Sequence, residues 1–249
     1  MIVTLHSYKG GTGKTLLSVN LAMTFANLGK KVCLLDLDLR APSLSSTFNN
    51  TTNCWINNYL NKSCKAENIL SECTPQYIKD GHLFVGLANP STEAIRDMSS
   101  KDRKWEMEAL GRLLSLKEHL LTDMNFDYVV CDSSPGLQYS SINAIVIADV
   151  VLVVTSVDKS DVDGTQRMIR DLYDLYEKKT GIVVNKVPQT ILSGRTHIKL
   201  DTHNLPIIDL IPCSCDVLQS GGEYLFAFEK KEHPITQSLS KIAMKIRQF

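Results

Sequence analysis

The sequence lacks several features that would place it in a specialised class. Its 27 basic and 27 acidic residues cancel, which argues against a wholly basic nucleic-acid binder but leaves room for a local basic patch. It contains no internal repeat, no dividing linker and no apolar run of membrane-spanning length. It opens on a strand-like segment, without the basic and apolar regions of a signal peptide. We therefore expect a cytoplasmic protein with one domain over residues 1–249.

The cysteines do not suggest a disulfide framework. There are seven, an odd number, and they are scattered along the chain. Cys33 and Cys131 fall within apolar segments typical of buried strands, which favours a reducing compartment. Cys213 and Cys215 form a C-x-C pair, which would bind a metal only if a dimer partner supplied further ligands. Coincidence is the simpler interpretation of that pair.

Short apolar runs alternate with segments of helical spacing. The runs are rich in Val, Ile and Leu, as in parallel strands that are buried on both faces. The predicted strands are residues 2–5, 32–35, 83–87, 128–131, 150–154, 182–184 and 207–211. The predicted helices are residues 16–28, 103–124, 161–178 and 235–249, with an irregular insert at 45–63 and a surface loop at 188–195. This alternation predicts a single-domain α/β fold with a doubly wound, mostly parallel sheet and helices on both faces. Ligands in such a fold bind at the carboxyl ends of the strands.

A glycine-rich turn joins the first predicted strand to the first predicted helix. Backbone N–H groups of such a turn converge at a helix N-terminus, where the helix dipole also favours an anion, so we expect the turn to bind phosphate. By the chemistry of a P-loop, Lys14 would contact the β- and γ-phosphates and the hydroxyl of Thr15 would bind Mg²⁺. The candidate nucleotide-binding residues of this turn are Gly10, Gly11, Thr12, Gly13, Lys14, Thr15 and Leu16.

The turn departs from the standard P-loop pattern. That pattern has glycine at the position of Tyr8, and this chain has instead Lys9 ahead of paired glycines. The arrangement K-G-G-x-G-K-T resembles the deviant Walker A motif of the ParA/MinD family of ATPases, although Leu16 stands where that family often has a second threonine. The resemblance implies a slow, Mg²⁺-dependent ATP hydrolase that binds ATP or ADP. It also implies an ATP-dependent homodimer in which Lys9 contacts the phosphates bound to the partner.

Two acidic residues end the second predicted strand. Asp36 and Asp38 lie two residues apart beside the expected phosphate site, where carboxylate oxygens serve Mg²⁺ and the attacking water. The segment D-x-D-L-R-x-P-S-L over residues 36–44 is similar to switch I of the ParA/MinD family. By that resemblance Asp38 would orient the hydrolytic water, and Asp36 would support the water shell of the metal.

A further acidic residue, Asp132, follows the apolar run over residues 128–131. This is the Walker B arrangement, in which an aspartate holds Mg²⁺, often through water. The continuation S-S-P-G resembles switch II of the same family, and Gly136 would let that loop respond to the γ-phosphate.

Residues near the ends of two later strands are candidates for binding the base. The amide of Asn185 offers a donor and an acceptor that suit a purine edge, and an asparagine at this place contacts adenine in the ParA/MinD family. Ile211 and Pro212 resemble an I-P segment of the family. By that resemblance the backbone of Pro212 and Cys213 would line the base pocket.

The resemblance covers nearly the whole chain and implies a function. We expect a nucleotide-gated dimerisation switch in spatial positioning, at a cell-division site or in chromosome or plasmid partitioning, with a regulatory protein that stimulates hydrolysis. Residues 205–208 and 211–212 favour the MinD branch. One alternative is a tyrosine-kinase module of polysaccharide export, whose switch region has the same D-x-D-L-R-x-P-S-L pattern. Those kinases usually end in a tyrosine cluster, and this sequence has no tyrosine after Tyr224. The other alternative is a metallocluster- or nickel-delivery ATPase that uses Cys213 and Cys215.

Such a switch would act on a membrane surface, on nonspecific DNA or on neither. The segment over residues 241–249 opposes three basic side chains to an apolar stripe, so it either lies on a bilayer or, more simply, covers the core as a terminal helix. A cluster after the sixth predicted strand either contacts DNA phosphates or belongs to a solvated loop. Its members are Lys186, Arg195, His197 and Lys199.

Overall fold

A mostly parallel sheet forms the centre of the computed structural model, which describes residues 1–48, 54–197, 200–219 and 232–249. Its strands are β1 (Ile2–His6), β2 (Lys31–Leu37), β3 (Leu70–Glu72), β4 (His82–Gly86), β5 (Tyr128–Ser133), β6 (Val150–Thr155), β7 (Lys179–Val187) and β8 (Ile207–Pro212). The order across these eight described strands is β3-β4-β2-β5-β1-β6-β7-β8, and among them only β3 runs antiparallel to its neighbour, β4. The predicted doubly wound sheet is confirmed.

The helices in the described part of the chain lie between the strands. They are α1 (Lys14–Asn27), α2 (Ile56–Leu60), α3 (Thr92–Ser100), α4 (Arg103–Glu118), α5 (Tyr139–Ile147), α6 (Lys159–Met168), α7 (Asp174–Tyr176), α8 (Gln189–Leu192), α9 (Asp216–Gln219) and α10 (Pro234–Ile246). A π-helical turn, His119–Asp123, extends α4, and another, Ile169–Tyr173, joins α6 to α7. The helices predicted over residues 103–124 and 161–178 are therefore present with a change of winding.

The sheet separates two apolar cores because successive strand residues point to opposite faces. On one face, Val3 and Leu5 of β1 pack with α1 and α10. On the other face, Ile2 packs with α4, α5 and the π-helical turn after α6. Both faces of the central strands are buried, which explains their nearly continuous apolar sequences.

Several described elements lie outside the set predicted from the sequence, among them β3, α3 and α5. The edge strand β3 has the short sequence Leu-Ser-Glu, and α3 is mainly polar and buries only Met98, so neither contains the apolar run by which the other elements were predicted. The helix α5 was missed for the opposite reason, because it has too few polar residues. Its residues are mainly apolar or small, and six of its nine are buried, so it has no polar face that would reveal a helical period.

The cysteine prediction needs one correction. Cys54 and Cys64 form a disulfide, with their Cα atoms 6.4 Å apart, and the bond closes a span that contains α2. The short helix turns the chain back on itself and brings together two cysteines that are ten residues apart. The other five cysteines are unpaired in the described structure.

The predicted terminal core helix is confirmed as α10. Its buried side chains include Ile235, Leu239, Ile242 and Ile246, which pack against the sheet and α1. Among the described residues, no helix is both long enough and apolar enough to cross a membrane.

Two predicted irregular regions contain short helices. The region 188–195 includes α8, and the region 45–63 includes α2. Part of the latter, residues 49–53, lies outside the described residues, as do Lys199 and Tyr224.

Candidate nucleotide-binding site

The site lies where β1, β2 and β5 end, at the edge of the sheet that faces the N-terminus of α1. The turn over residues 9–13 leaves β1 and enters α1 at Gly13, which has a φ of 95° and accepts the first helical hydrogen bond, 3.0 Å from the amide of Leu17. A Cβ atom added to Gly13 would collide with the side-chain amide of Asn185. Glycine is therefore required here both by the backbone angle and by the close approach of β7.

Lys14 carries a buried positive charge at the start of α1. Its side chain lies close to the carboxylates at the ends of β2 and β5, and the residue is 7% exposed. Burial lowers the pKa of the ammonium group, while Asp132 and Asp38 act in the opposite direction. The charge thus lies at the helix N-terminus, where the backbone already favours an anion.

Two buried carboxylates face each other across neighbouring strands. Asp36 of β2 is the register partner of Asp132 of β5, and both are at most 1% exposed. Burial raises the pKa of Asp132 to about 6, while the neighbouring Thr15, Lys14 and Ser18 act in the opposite direction. Burial also raises the pKa of Asp36, and the charges of Asp132 and Asp38 add to that shift. Two like charges in an enclosed site favour a bound cation or a proton.

The second carboxylate oxygen of Asp132 is the clearest opening for a metal. Its Oδ1 accepts a hydrogen bond from the Ser18 hydroxyl at 3.0 Å, whereas the buried Oδ2 has no hydrogen-bond partner among the described residues. Hydroxyl and carboxylate oxygens are the ligand types that Mg²⁺ prefers. The donor set formed by Thr15 and Asp132 therefore fits Mg²⁺.

The loop after β2 is organised by Asp36 and Asp38. Asp36 accepts the backbone N–H groups of Asp38 and Leu44 at 3.1 and 3.3 Å. Asp38 in turn accepts the amide of Ala41 at 3.2 Å and the hydroxyl of Ser134 at 3.0 Å. Asp36 thus holds the shape of the loop, and Asp38 contacts the loop that follows β5.

Three serines of the site were not predicted. The hydroxyl of Ser43 lies 3.3 Å from that of Thr15, and Ser134 and Ser18 contact the carboxylates of Asp38 and Asp132. Ser18 follows Lys14 by one helical turn, a spacing that places both on one face of α1 and was available as a signal. The contacts of Ser43 and Ser134 depend on how the loops fold over the strand ends.

The side chain of Lys9 points away from the glycine-rich turn and contacts the start of α6 in the same chain. Its ammonium group lies 2.6 Å from Asp158 and 2.9 Å from the Ser160 hydroxyl, and its side chain is 40% exposed. This hydrogen bond lowers the pKa of the Asp158 carboxyl, which also caps α6. Exposed pairs of this kind are readily exchanged for another partner.

The candidate base-binding residue Asn185 and its neighbour Lys186, both in β7, contact the glycine-rich turn. The Asn185 side chain donates to the carbonyl of Thr12 at 2.8 Å and accepts the amide of Lys186. Lys186 has a φ of 58°, and its ammonium group donates to the carbonyl of Gly11 at 2.7 Å. The strand continues to Val187 past an irregular register, so Asn185 lies within β7 rather than at its end.

Pro212 and Cys213 lie at the same rim of the sheet. Pro212 ends β8, and the amide of Cys213 donates to the carbonyl of Val187 at 2.8 Å. The thiols of Cys213 and Cys215 are exposed and unpaired. Within the described ranges, no three His, Cys, Asp or Glu side chains are grouped as a metal site. In the basic cluster, Lys186 is bound to the turn, while Arg195 and His197 are exposed.

Comparison with known proteins agrees with this arrangement. A family model described as an AAA domain (AAA_31) matches residues 1–187. The septum site-determining protein MinD of Thermotoga maritima is 26% identical over 255 residues, which cover 99% of this chain and 88% of that protein.

Two solved structures share the fold. One is MinD of Pyrococcus horikoshii complexed with Mg-ADP, with 20% identity, a TM-score of 0.76 and coverage of 98% of this chain and 95% of that chain. The other is the MinC:MinD cell division protein complex of Aquifex aeolicus, with 22% identity, a TM-score of 0.77 and coverage of 100% of this chain and 96% of that chain.

The doubly wound sheet and the strand–turn–helix at residues 2–27 define a P-loop nucleotide hydrolase. Since the family model spans three quarters of its residues, the chain belongs to this AAA-domain family, within the ParA/MinD group of ATPases. The predicted fold and the predicted ATP hydrolase are confirmed at this level, and the solved MinD of Pyrococcus horikoshii, which has the same fold, holds Mg-ADP.

Proposed function

We propose that the chain is a nucleotide-gated dimerisation switch that positions other molecules in the cell. The observation that carries the proposal is the position of Lys9. This lysine distinguishes the motif from an ordinary P-loop. Its ammonium group forms an exposed ion pair with Asp158 and does not contact the glycine-rich turn that follows it. A lysine held in this way is available to a second subunit.

In this proposal the turn holds the triphosphate. The backbone N–H groups of residues 10–15 and the buried Lys14 bind the phosphates, and Thr15 and Asp132 would hold Mg²⁺. Mg²⁺ supplies charge neutralisation at the phosphates when it is bound. Support comes from the unpartnered Asp132 Oδ2 and from the buried pair of carboxylates, since a dication would relieve their repulsion. Asp36 acts on this centre by shaping the loop that carries Asp38.

Asp38 orients the water that attacks the γ-phosphate. Its carboxylate lies at the end of β2 beside the turn, and it contacts the hydroxyl of Ser134 at 3.0 Å. The hydroxyl fixes one carboxylate oxygen and leaves the other to accept a proton of the water. The base lies on the side of Asn185, Pro212 and Cys213, where the ends of β7 and β8 meet.

Lys9 joins two subunits when both hold ATP. Because its charge would be compensated by the partner's phosphates, dimers form with triphosphate and separate after hydrolysis. Two of the relatives named above are described as septum site-determining proteins, and the third as a MinC:MinD cell division protein complex. We extend this to a positioning role at a division site or in partitioning, with a regulatory protein that stimulates hydrolysis.

The test is the molar mass of the Asp38→Ala variant, measured by light scattering with ADP and then with ATP and Mg²⁺. This substitution removes the group proposed to orient water and leaves the turn intact. We expect a monomer with ADP and a dimer with ATP. A mass that does not respond to the nucleotide contradicts the switch.

A matched variant isolates the role of the signature lysine. Lys9→Ala, added to Asp38→Ala, should bind ATP as before and stay monomeric. If the double variant still dimerises with ATP, Lys9 has no role between subunits.

A further inference from the structure

Two hydrogen bonds connect the end of β1 with the loop after β5 and with the π-helical turn after α6. The Nε2 atom of His6 lies 2.8 Å from the carbonyl oxygen of Gly136, and its Nδ1 atom lies 2.5 Å from the hydroxyl of Tyr173. Both side chains are almost fully buried, at 0% and 2% exposure. None of the functional roles proposed above uses this pair.

The chemistry of the three groups sets the direction of both bonds. A carbonyl oxygen only accepts, so Nε2 of His6 must carry the proton and donate to Gly136. The neutral ring then accepts at Nδ1 from the hydroxyl of Tyr173. Burial lowers the pKa of His6 to about 4, against the effect of the Gly136 carbonyl, so the ring is neutral at physiological pH.

Hydrogen bonds fix both the backbone N–H and the backbone carbonyl of Gly136. Its N–H donates to the carbonyl of Ser7 at 2.8 Å, and its carbonyl also accepts the Ser141 hydroxyl at 2.7 Å. The φ of Gly136 is 80°, a backbone angle that glycine adopts without strain. Gly136 lies in the loop between β5 and α5, which also carries Ser134, whose hydroxyl contacts Asp38 at 3.0 Å. The position of the loop therefore bears on the carboxylate proposed to orient water.

We propose that His6 and Tyr173 are positioning residues for ATP hydrolysis, which hold Gly136 and thereby set Ser134 against Asp38. The proposal rests on the role assigned to Asp38 above and does not require dimerisation. The π-helical turn that carries Tyr173 supports it, because single π-helical turns within helices are frequent at functional sites.

Tyr173→Phe tests the proposal with little change of shape. It removes the hydroxyl that orients His6 and keeps the ring that fills the core. We expect kcat to fall roughly three- to ten-fold, the effect of losing one hydrogen bond in the transition state, with an unchanged KM for ATP. In the nucleotide-free protein, the amide hydrogen of Gly136 should exchange faster with solvent.

Two comparisons separate positioning from simple stabilisation. Tyr128→Phe removes the hydroxyl of another buried tyrosine, which stacks on Phe25 at the opposite end of β5, and it should leave kcat and the exchange of Gly136 unchanged. His6→Gln keeps an amide donor that reaches toward Gly136, so it should retain more activity than His6→Ala.

Two results would overturn the proposal. One is a Tyr173→Phe protein with the kcat and the Gly136 exchange rate of the wild type. The other is a loss of kcat that Tyr128→Phe reproduces at an equal loss of thermal stability. Hydrogen exchange is measured without hydrolysis, and molar mass is measured separately, so failure of the dimerisation switch leaves this test intact.

Discussion

The two ends of β1 handle charge in different ways. At its amino end, the amide of Ile2 donates to Asp149, and Lys117 lies 2.6 Å from the same carboxylate, which is 39% exposed. At its carboxyl end, β1 enters the turn beside Asp36 and Asp132, two buried carboxylates on neighbouring strands. The amino end neutralises each charge locally. The carboxyl end keeps like charges buried and close together.

The pKa values of the two aspartates express this difference. Burial raises the pKa of Asp132 to about 6. Burial acts in the same direction on Asp149, but hydrogen bonds from Lys117 and Ile2 outweigh it and lower the pKa. Lys14 compensates the first arrangement only in part, whereas the second is complete in itself. A functional site is thus marked by charges that the protein compensates incompletely.

The largest expected effect concerns the two lysines at these ends. Lys14→Ala should lower kcat for ATP roughly 10²–10³-fold, because it removes the buried cation expected at the phosphates. Lys117→Ala removes a lysine that contacts Asp149 and the carbonyl of Ile147 at the other end. Steady-state ATP hydrolysis should be unaffected by that change.

One result would contradict the expected difference between the two lysine variants. If Lys117→Ala lowers kcat as much as Lys14→Ala does, at unchanged thermal stability, the contrast between the two ends has no bearing on activity.

A second effect is the opposite response of the two aspartates to pH. Since the folded pKa of Asp132 is raised from 3.8 to about 6, the folded state binds more protons in this window and its stability falls as pH rises through it. In nucleotide-free protein, Asp132→Asn should therefore raise the free energy of unfolding above this window by up to about 3 kcal/mol. Below about pH 4 the two proteins should have equal stability.

Asp149→Asn serves as the control of opposite sign. The lowered pKa of Asp149 stabilises the folded state above the unfolded pKa, and this contribution is lost as pH falls through the folded pKa. The variant should lose at most about 1 kcal/mol at neutral pH, since the pair is partly exposed. Urea unfolding across pH would contradict the comparison if both variants shifted stability in the same direction.

A third effect concerns the two glycines at the ends of α1. Gly13 and Gly29 both have positive φ, at 95° and 75°. Gly13→Ala should cost roughly 1–3 kcal/mol and weaken ATP binding, because the added Cβ also displaces Asn185 from Thr12. Calorimetric titration measures the affinity for ATP, and thermal unfolding measures the loss of stability.

Gly29→Ala measures the loss of stability that a positive φ alone causes in a residue with a Cβ atom. Its added Cβ would lie 3.7 Å from Asp80, an ordinary contact, so it should cost about 1–2 kcal/mol and leave ATP binding unchanged. An equal loss of ATP affinity in both variants would show that the Gly13–Asn185 contact has no role in binding.

Local order along the chain explains which parts of the site were predictable. The strand–turn–helix at residues 2–27 and the acidic ends of β2 and β5 are patterns of neighbouring residues, and each was present as expected. The helix α5 was missed because its less buried face carries Tyr139, Ile142 and Val146 rather than charged or polar residues. The Cys54–Cys64 disulfide was missed because it depends on the path of the chain around α2.

The sequence by itself determined the glycine-rich turn, the buried strands and the acidic residues at their ends, because these follow from the chemistry of adjacent residues. Only the tertiary structure decided which of these groups touch. The contacts of Asp38 with Ser134, of His6 with Tyr173 and of Thr12 with Asn185 span 96, 167 and 173 residues of sequence. Such contacts depend on the strand order of the sheet, which brings distant segments to one edge.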